Sequence, residues 1–206
     1  GEIVIGQRLG VLLNEWDVVT GGLDPIAAAS AHGSQLSAPG PMISKITSFG
    51  VHSPLVVETT LDPNLQPFLR DHQIDGTPVL PGVMAVEAFA EAAAAFVPGW
   101  HVDTIENVDF LAPFKFYRNE PRTLSVHSVI HAAGEALIAE CRIYGRRVLA
   151  GQAEAQVAEH FRGRVRLSKG AREPMSATVP DEPHGAAVEA NDIYRLYFHG
   201  PAYQVV

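Results

Sequence analysis

The sequence has one cysteine, little positive charge and no long hydrophobic run. Cys141 is the only cysteine among 206 residues, so the chain forms no internal disulfide and a reducing compartment is indicated. The 15 Lys and Arg residues are outnumbered by 23 Asp and Glu residues, and the formal charge is −8. Nucleic acids and anionic membranes bind positive surfaces, so neither is an expected partner. No apolar span of about 18 residues and no signal-peptide pattern is found, which predicts a cytoplasmic protein.

Three local features have both a chemical and a plain structural interpretation. Cys141 lies in the strand-like run 136–144, where a small packing residue is favoured over a nucleophile. His127 and His131 share one face of a predicted strand, but without a carboxylate or cysteine at metal-ligand spacing no zinc site is predicted. A basic cluster could meet an acidic partner, although a solvated edge is the favoured interpretation. Its members are Arg162, Arg164, Arg166, Lys169 and Arg172.

The predicted elements follow one another in the order strand, apolar helix and then several strands. Strand patterns cover 55–61, 101–116, 122–131, 136–144 and 148–161, with turns at Gly134 and at Gly145-Arg146. The Ala-rich run 82–97 predicts a helix that ends at Pro98-Gly99. This order is typical of an α+β hotdog fold, in which a curled antiparallel sheet wraps around one central helix.

Composition divides the chain into four parts. Residues 1–50 are rich in Gly, Ala, Ser and Pro and predict a lead-in or linker with little core of its own. We expect the hotdog over 51–162, a linker rich in Arg, Pro, Ser and Gly over 163–190, and the start of a second unit over 191–206.

The loop 71–82 holds the candidate chemistry. His72, Gly76 and Pro81 stand at the spacing HxxxGxxxxP, directly before the predicted helix. A histidine titrates near neutral pH and suits a general base, whereas the amides and macrodipole of a helix N-terminus stabilise developing negative charge. Pro78 and Pro81 stiffen the loop, and Gly82 lacks a Cβ that would keep a substrate away from the backbone. The sequence therefore predicts an acid/base site at a helix N-terminus.

This spacing, followed by Gly82 and a Val-x-x-x-Glu-Ala helix start, resembles the dehydratase domains of polyketide synthases and multienzyme fatty acid synthases. The run 107–114 is similar to the strand after the family's helix, and His199-Gly-Pro-Ala-Tyr-Gln204 is similar to the segment that opens the second half of such domains. The resemblance covers roughly residues 50–206. It implies the first half of a double hotdog.

The resemblance also implies residue roles. His72 would be the base, and the carbonyl of Val79 would fix its tautomer. The substrate-binding residues would be Gly76, Val79, Pro81, Gly82 and His199. His199 stands where many family members carry tyrosine. The substrate would be a 3-hydroxyacyl thioester on the phosphopantetheine of an acyl carrier protein, converted to a 2-enoyl thioester without a further cofactor.

The acid has two possible sources. In the family it is an aspartate on the helix of the second hotdog, so we expect the chain to be a fragment. Glu87 stands at the offset where single-hotdog dehydratases place an acid that serves the other subunit, although a structural glutamate is favoured. On a helical wheel Glu87 borders the apolar stripe that includes Val83 and Phe89, and Glu91 points further away.

The sequence therefore predicts a dehydratase of polyketide or fatty acid biosynthesis. Its expected partners are the acyl carrier protein, neighbouring synthase domains and a second copy in a homodimer. A hotdog thioesterase is an alternative, which the His-Gly-Pro spacing disfavours. A non-catalytic acyl-binding or dimerisation module is another.

Overall fold

The computed structural model describes residues 16–17, 22–23, 40–50, 53–95, 97, 99–148, 154–170, 188–197 and 199–204. The strands are β1 (Trp16–Asp17), β2 (Gly22–Leu23), β3 (Lys45–Gly50), β4 (Ser53–Leu61), β5 (Gln73–Ile74), β6 (Thr77–Pro78), β7 (His101–Phe110), β8 (Arg122–Ala133), β9 (Ala136–Val148) and β10 (Ala155–Ser168). The helices are α1 (Pro67–Arg70), α2 (Gly82–Ala94) and α3 (Ala190–Leu196), with 3-10 turns at Tyr117–Asn119 and Pro201–Tyr203.

One antiparallel sheet carries the core, in the order β1-β2-β3-β4-β8-β9-β10-β7. Helix α2 packs against this sheet and contacts β7, β8, β9 and β10. Strands β5 and β6 form a separate small hairpin. A single helix held against an antiparallel sheet confirms the predicted α+β hotdog fold.

The buried face of α2 is formed by small residues around one aromatic ring. Ala85, Ala88, Ala92 and Ala93 are fully buried, and Phe89 lies among them with no exposed surface. Val83, which the helical wheel placed on the buried stripe, is 71% exposed. The wheel was wrong here because alanine allows a helix to approach the sheet closely, so the Ala-lined side packs inward in place of the valine side.

Strand boundaries differ most from the predicted ones in β7, β9 and β10. Strand β7 ends at Phe110, six residues before the predicted end. Strand β9 continues through Gly145 and Arg146, where a turn was predicted. A Cβ on Gly145 would lie 2.7 Å from the Phe114 ring, so this glycine serves close packing within a strand.

Strand β10 continues to Ser168 and extends into the predicted linker 163–190. Three members of the basic cluster belong to this strand and pair with acids on the two neighbouring strands; they are Arg162, Arg164 and Arg166. Arg162 pairs with Asp109 at 2.7 Å, and Arg164 pairs with Glu140 at 3.0 Å. Lys169 lies 5.0 Å from the centre of the Trp100 ring. These cations are therefore cross-strand partners rather than a free basic patch, and Arg172 lies outside the described residues.

The hotdog also begins earlier in the chain than the predicted start at residue 51. Strand β3 pairs with β4, and Met42, Ile43 and Ile46 are buried in the core. Residues 40–50 therefore belong to the hotdog. Most of residues 1–39, the stretch 171–187 and Val206 lie outside the described residues. In the part of the chain that is described, no helix is long and apolar enough to cross a membrane.

Candidate active site

The loop that carries His72 is a tight hairpin. Strands β5 and β6 pair through Gln73 with Pro78 and Ile74 with Thr77, and the turn between them has positive φ at Asp75 and Gly76. Gly76 has φ +70°, and nothing lies within 4 Å of the position of a Cβ there. Its glycine is explained by backbone conformation, because L side chains rarely adopt this φ. Its predicted substrate contact stays a prediction.

Two hydrogen bonds join His72 and Val79, which lie on either side of the hairpin. The Val79 amide donates to the His72 carbonyl at 2.9 Å, and His72 Nδ1 lies 2.7 Å from the Val79 carbonyl oxygen. A carbonyl oxygen only accepts, so Nδ1 carries the proton of this bond and Nε2 carries the lone pair of the neutral ring. Burial lowers the pKa of His72, the Val79 bond opposes this shift, and the neighbouring His199 lowers the pKa further. The contact that the resemblance implied between His72 and Val79 is present.

The hairpin leads directly into the N-terminus of α2. Pro81 is the residue before the first helical turn, with φ −59°, and its carbonyl accepts from the amides of Met84 and Ala85. The amides of Gly82 and Val83 precede these first helical bonds and lie at the positive end of the helix dipole. The loop thus places the imidazole and a helix N-terminus next to each other in the chain.

Gly82 lies against an aromatic side chain that the sequence did not predict there, and its predicted substrate contact stays a prediction. The place of its missing Cβ is occupied by the ring of Phe110, which is 64% exposed and packs edge-on against Phe161 with centroids 5.7 Å apart. The glycine therefore accommodates an aromatic ring from the end of β7. Sequence reasoning did not single out Phe110, because only the pairing of β7 with β10 brings it to the helix N-terminus.

The segment 199–204 packs against the His72 loop. His199 forms a β-bridge with His72, and the Gly200 amide donates to the carbonyl of Asp71 at 2.8 Å. The Ala202 amide donates to Asp71 Oδ2 at 2.7 Å, and the Tyr203 hydroxyl donates to the Phe68 carbonyl at 2.5 Å. The predicted residue His199 is thereby brought to His72.

Three rings meet at this contact. The ring centroids of His72 and His199 are 5.4 Å apart, those of His72 and Tyr203 are 6.0 Å apart, and those of His199 and Tyr203 are 5.3 Å apart. Sequence reasoning missed Asp71 and Tyr203 as site residues. The available signals were that Asp71 directly precedes the histidine and that Tyr203 is the aromatic of the Gly-Pro-x-aromatic segment.

The two glutamates of α2 have the opposite placement from the one the helical wheel predicted. Glu87 is exposed, whereas Glu91 is half-buried and its Oε2 accepts from the Met42 amide at 3.0 Å. Burial raises the pKa of Glu91 to about 7, and the nearby Glu87 contributes in the same direction. The wheel failed because segment 40–43 covers the side of the helix that it assigned to solvent.

The remaining candidates have structural surroundings. Cys141 is 2% exposed, and burial raises the pKa of its thiol to about 11, so it is a packing residue. His127 packs edge-on against Tyr144 with centroids 4.8 Å apart. Within the described ranges, no group of three or more His, Cys, Asp or Glu side chains could hold a metal ion.

One family model and one curated protein match parts of this chain. Residues 41–138 match the family model described as polyketide synthase dehydratase domain. A polyketide synthase of Burkholderia thailandensis, ThaG, is 45% identical over 51 residues, which is 23% of this chain and 1% of that protein.

Solved dehydratase domains share the fold. One, from work on dehydratase substrate selection for the borrelidin and fluvirucin polyketide synthases, is 23% identical with a TM-score of 0.58, over 85% of this chain and 60% of that chain. The dehydratase domain of the CurF module of curacin polyketide synthase is 17% identical with a TM-score of 0.62, over 81% of this chain and 60% of its own. The chain thus spans about 60% of these solved domains and 1% of the curated synthase.

Proposed function

Because residues 41–138 match the family model of the polyketide synthase dehydratase domain, we propose that the chain supplies the base and the oxyanion site of a dehydratase acting on 3-hydroxyacyl thioesters. The observation that carries this proposal is the bond of 2.7 Å between His72 Nδ1 and the Val79 carbonyl oxygen, at the entry to α2. It orients one imidazole and assigns its proton.

His72 is proposed to remove the α-proton of the substrate. With the Nδ1 proton donated to Val79, the lone pair is on Nε2, which accepts the proton from Cα. The lowered pKa of His72 keeps the ring neutral at neutral pH, as a base requires. As the Cα–H bond breaks, negative charge develops on the thioester carbonyl oxygen.

The start of α2 is proposed to stabilise this oxygen. The amides of Gly82 and Val83 precede the first helical hydrogen bonds, and the helix dipole adds partial positive charge at the same end. Oriented donors of this kind typically contribute about 10²- to 10³-fold in rate. The C=C bond then forms as the bond from Cβ to the hydroxyl oxygen breaks, and an acid protonates the leaving oxygen to give water.

The acid is proposed to come from the aspartate that the resemblance puts on the helix of a second hotdog. Glu87 is exposed on α2, and in the alternative it would serve the histidine of another subunit. The contact of segment 199–204 with the His72 loop supports this assignment, because it brings the start of the second unit to the base.

The substrate is proposed to arrive on the phosphopantetheine of an acyl carrier protein, with neighbouring synthase domains and a second copy in a homodimer as further partners. The proposed reaction needs no metal and no nicotinamide. A cytoplasmic location stays a prediction. A hotdog thioesterase and a non-catalytic acyl-binding module are the alternatives, and the product distinguishes them.

The test is a mass-spectrometric assay of a 3-hydroxyacyl thioester analogue with the full reading frame that encodes this chain. We expect formation of the 2-enoyl thioester and its loss in His72→Ala, while His131→Ala, which changes an exposed histidine of β8, keeps the wild-type rate. More than a tenth of the wild-type rate in His72→Ala would refute His72 as the base. Release of free thiol would favour the thioesterase, and binding without turnover would favour the non-catalytic module.

A further inference from the structure

The orientation of the Val79 carbonyl is set by a neighbouring segment of chain. The Leu80 amide donates to the Phe114 carbonyl at 3.0 Å, and the Phe116 amide donates to the Pro78 carbonyl at 2.9 Å. These two bonds flank the bridge between Val79 and Lys115. The Val79 carbonyl, which accepts the hydrogen bond from His72 Nδ1, is therefore held in place by residues 114–116.

Segment 112–116 lies between β7 and β8 and is itself held by two side chains. Arg122 Nη1 donates to the Lys115 carbonyl at 2.9 Å, and the Arg122 guanidinium lies 4.1 Å from the centre of the Phe114 ring. His160 Nδ1 donates to the Ala112 carbonyl at 3.1 Å, and its ring packs edge-on against Phe114 with centroids 4.8 Å apart. Phe114 has no exposed surface.

The environment of Arg122 is costly for a cation. The side chain is half-buried, and burial lowers the pKa of Arg122, with the nearby Arg147 acting in the same direction. Among the described residues Arg122 makes no ion pair with an acid. A partly desolvated charge that lacks an acidic partner is unfavourable unless its other contacts compensate. Those contacts are the Lys115 carbonyl and the Phe114 ring, both in the segment that supports Val79.

We infer that Arg122 is a positioning residue for His72, acting through Lys115 and Val79. The path runs from the guanidinium to the Lys115 carbonyl, through the Val79–Lys115 bridge, to the Val79 carbonyl and the imidazole. His160 supports the other end of the same segment. The consequence for catalysis rests on the proposed function, whereas the consequence for the His72 ring does not.

The test combines two measurements on Arg122→Met, which keeps an aliphatic side chain of similar reach and removes the donors. Two-bond ¹H–¹⁵N correlation spectra of the histidine-labelled protein report the His72 tautomer, and the His72→Gln variant identifies its signals. We expect wild-type His72 to be protonated on Nδ1 and Arg122→Met to give a mixture of tautomers. In the dehydration assay kcat should fall about 10- to 100-fold, because a small misplacement of a catalytic group slows the reaction by this much. KM should stay within about twofold of the wild-type value.

Two further variants separate positioning from plain stability. Arg147→Met removes a neighbouring cation that lies over Tyr117, at 4.4 Å from its ring centre, and it should leave the His72 tautomer and kcat unchanged. Arg122→Lys keeps a donor for the Lys115 carbonyl and should recover part of both. If Arg122→Met does not fold, the Arg122→Lys comparison with wild type is read alone.

An unchanged His72 tautomer and unchanged kcat in the folded Arg122 variants would overturn the inference. So would an equal effect of Arg147→Met, because general loss of charge would then explain it. Failure of the proposed function has a separate signature, because dehydration would then be absent from the wild type or retained in His72→Ala, while the tautomer measurement would still report whether Arg122 orients the ring.

Discussion

The imidazole of His199 lies beside the imidazole of His72, with ring centroids 5.4 Å apart and a β-bridge between the two backbones. One residue is in the loop before the central helix, and the other is in the segment after α3. A second titratable ring thus lies next to the proposed base, and it lowers the pKa of His72 in addition to the effect of burial.

Replacing this ring should therefore change the pH dependence of the base. His199→Gln removes the electrostatic effect of the neighbouring imidazole, which lowers the pKa of His72, so the pKa of His72 should rise. Because the base acts in its neutral form, the acidic limb of the kcat/KM profile should move to higher pH. An NMR titration of the His72 ring checks the direction. His131→Gln, at an exposed site in β8, is the control, and a lowered or unchanged His72 pKa in His199→Gln would contradict the prediction.

The carboxylate of Asp71 should hold segment 199–204 on the loop. Asp71→Ala removes the acceptor of the Ala202 amide and keeps the backbone bond to Gly200, so we expect a loss of about 1 kcal/mol in docking free energy at this exposed contact. Hydrogen exchange at residues 200–204 should become faster. Asp71→Asn retains an acceptor oxygen and should exchange at nearly the wild-type rate. Equal exchange in Asp71→Ala and wild type would show that the side chain does not hold the segment.

Glu91 should make stability depend on pH. Its pKa is raised from 4.5 to about 7 in the folded chain, so the folded state binds its proton more tightly than the unfolded state does. The contribution is fully present below about pH 4.5 and is lost as the pH rises through about 7. Glu91→Gln resembles the protonated form and should become increasingly more stable than wild type between pH 4.5 and 7.

Urea unfolding at several pH values measures this difference. Glu135→Gln, in the exposed turn between β8 and β9, is the control that should show no such trend. A constant difference between Glu91→Gln and wild type over the whole range would mean that Glu91 has no raised pKa in the folded protein.

Two glycine substitutions should differ in cost. At Gly145 a Cβ would lie 2.7 Å from Phe114, 2.8 Å from His160 and 2.9 Å from Arg122. Phe114 and His160 are buried and cannot move freely, so Gly145→Ala should lower the free energy of unfolding by about 1–3 kcal/mol. At Gly82 the three atoms nearest to the Cβ all belong to the ring of Phe110, which is 64% exposed and can rotate away. Gly82→Ala should therefore cost less, as chemical denaturation of both variants will show. The reverse order would mean that Phe110 is the more firmly held ring.

Local sequence was enough to predict the elements whose signals are local. The Ala-rich run of α2 predicted a helix, because the intrinsic preference of alanine adds along the run, and it begins at Gly82 as predicted. The loop around His72 was predicted for the same kind of reason, since Gly76 allows the positive φ of the turn and Pro78 restricts the backbone directly. The hairpin turn at Gly134 has φ +65°, which glycine readily adopts.

Tertiary structure alone decided every feature that depends on what lies across the sheet or the helix. Gly145 looked like a turn residue in the sequence, yet it is a strand residue that makes room for Phe114 and His160. Arg162 and Arg164 were interpreted from the sequence as part of a solvated edge, yet they pair with Asp109 and Glu140 on neighbouring strands. Sequence patterns report propensity along the chain, whereas pairing register and packing bring together residues that are distant in it.

The candidate site divides in the same way. The sequence determined that a histidine stands before a helix N-terminus, because both are encoded within one short loop. Only the tertiary structure placed His199 and Tyr203 against His72 and set Phe110 over Gly82, because these contacts join segments that are far apart in the chain. The chemistry of the base is thus local in sequence, and its electrostatic surroundings come from the folded chain.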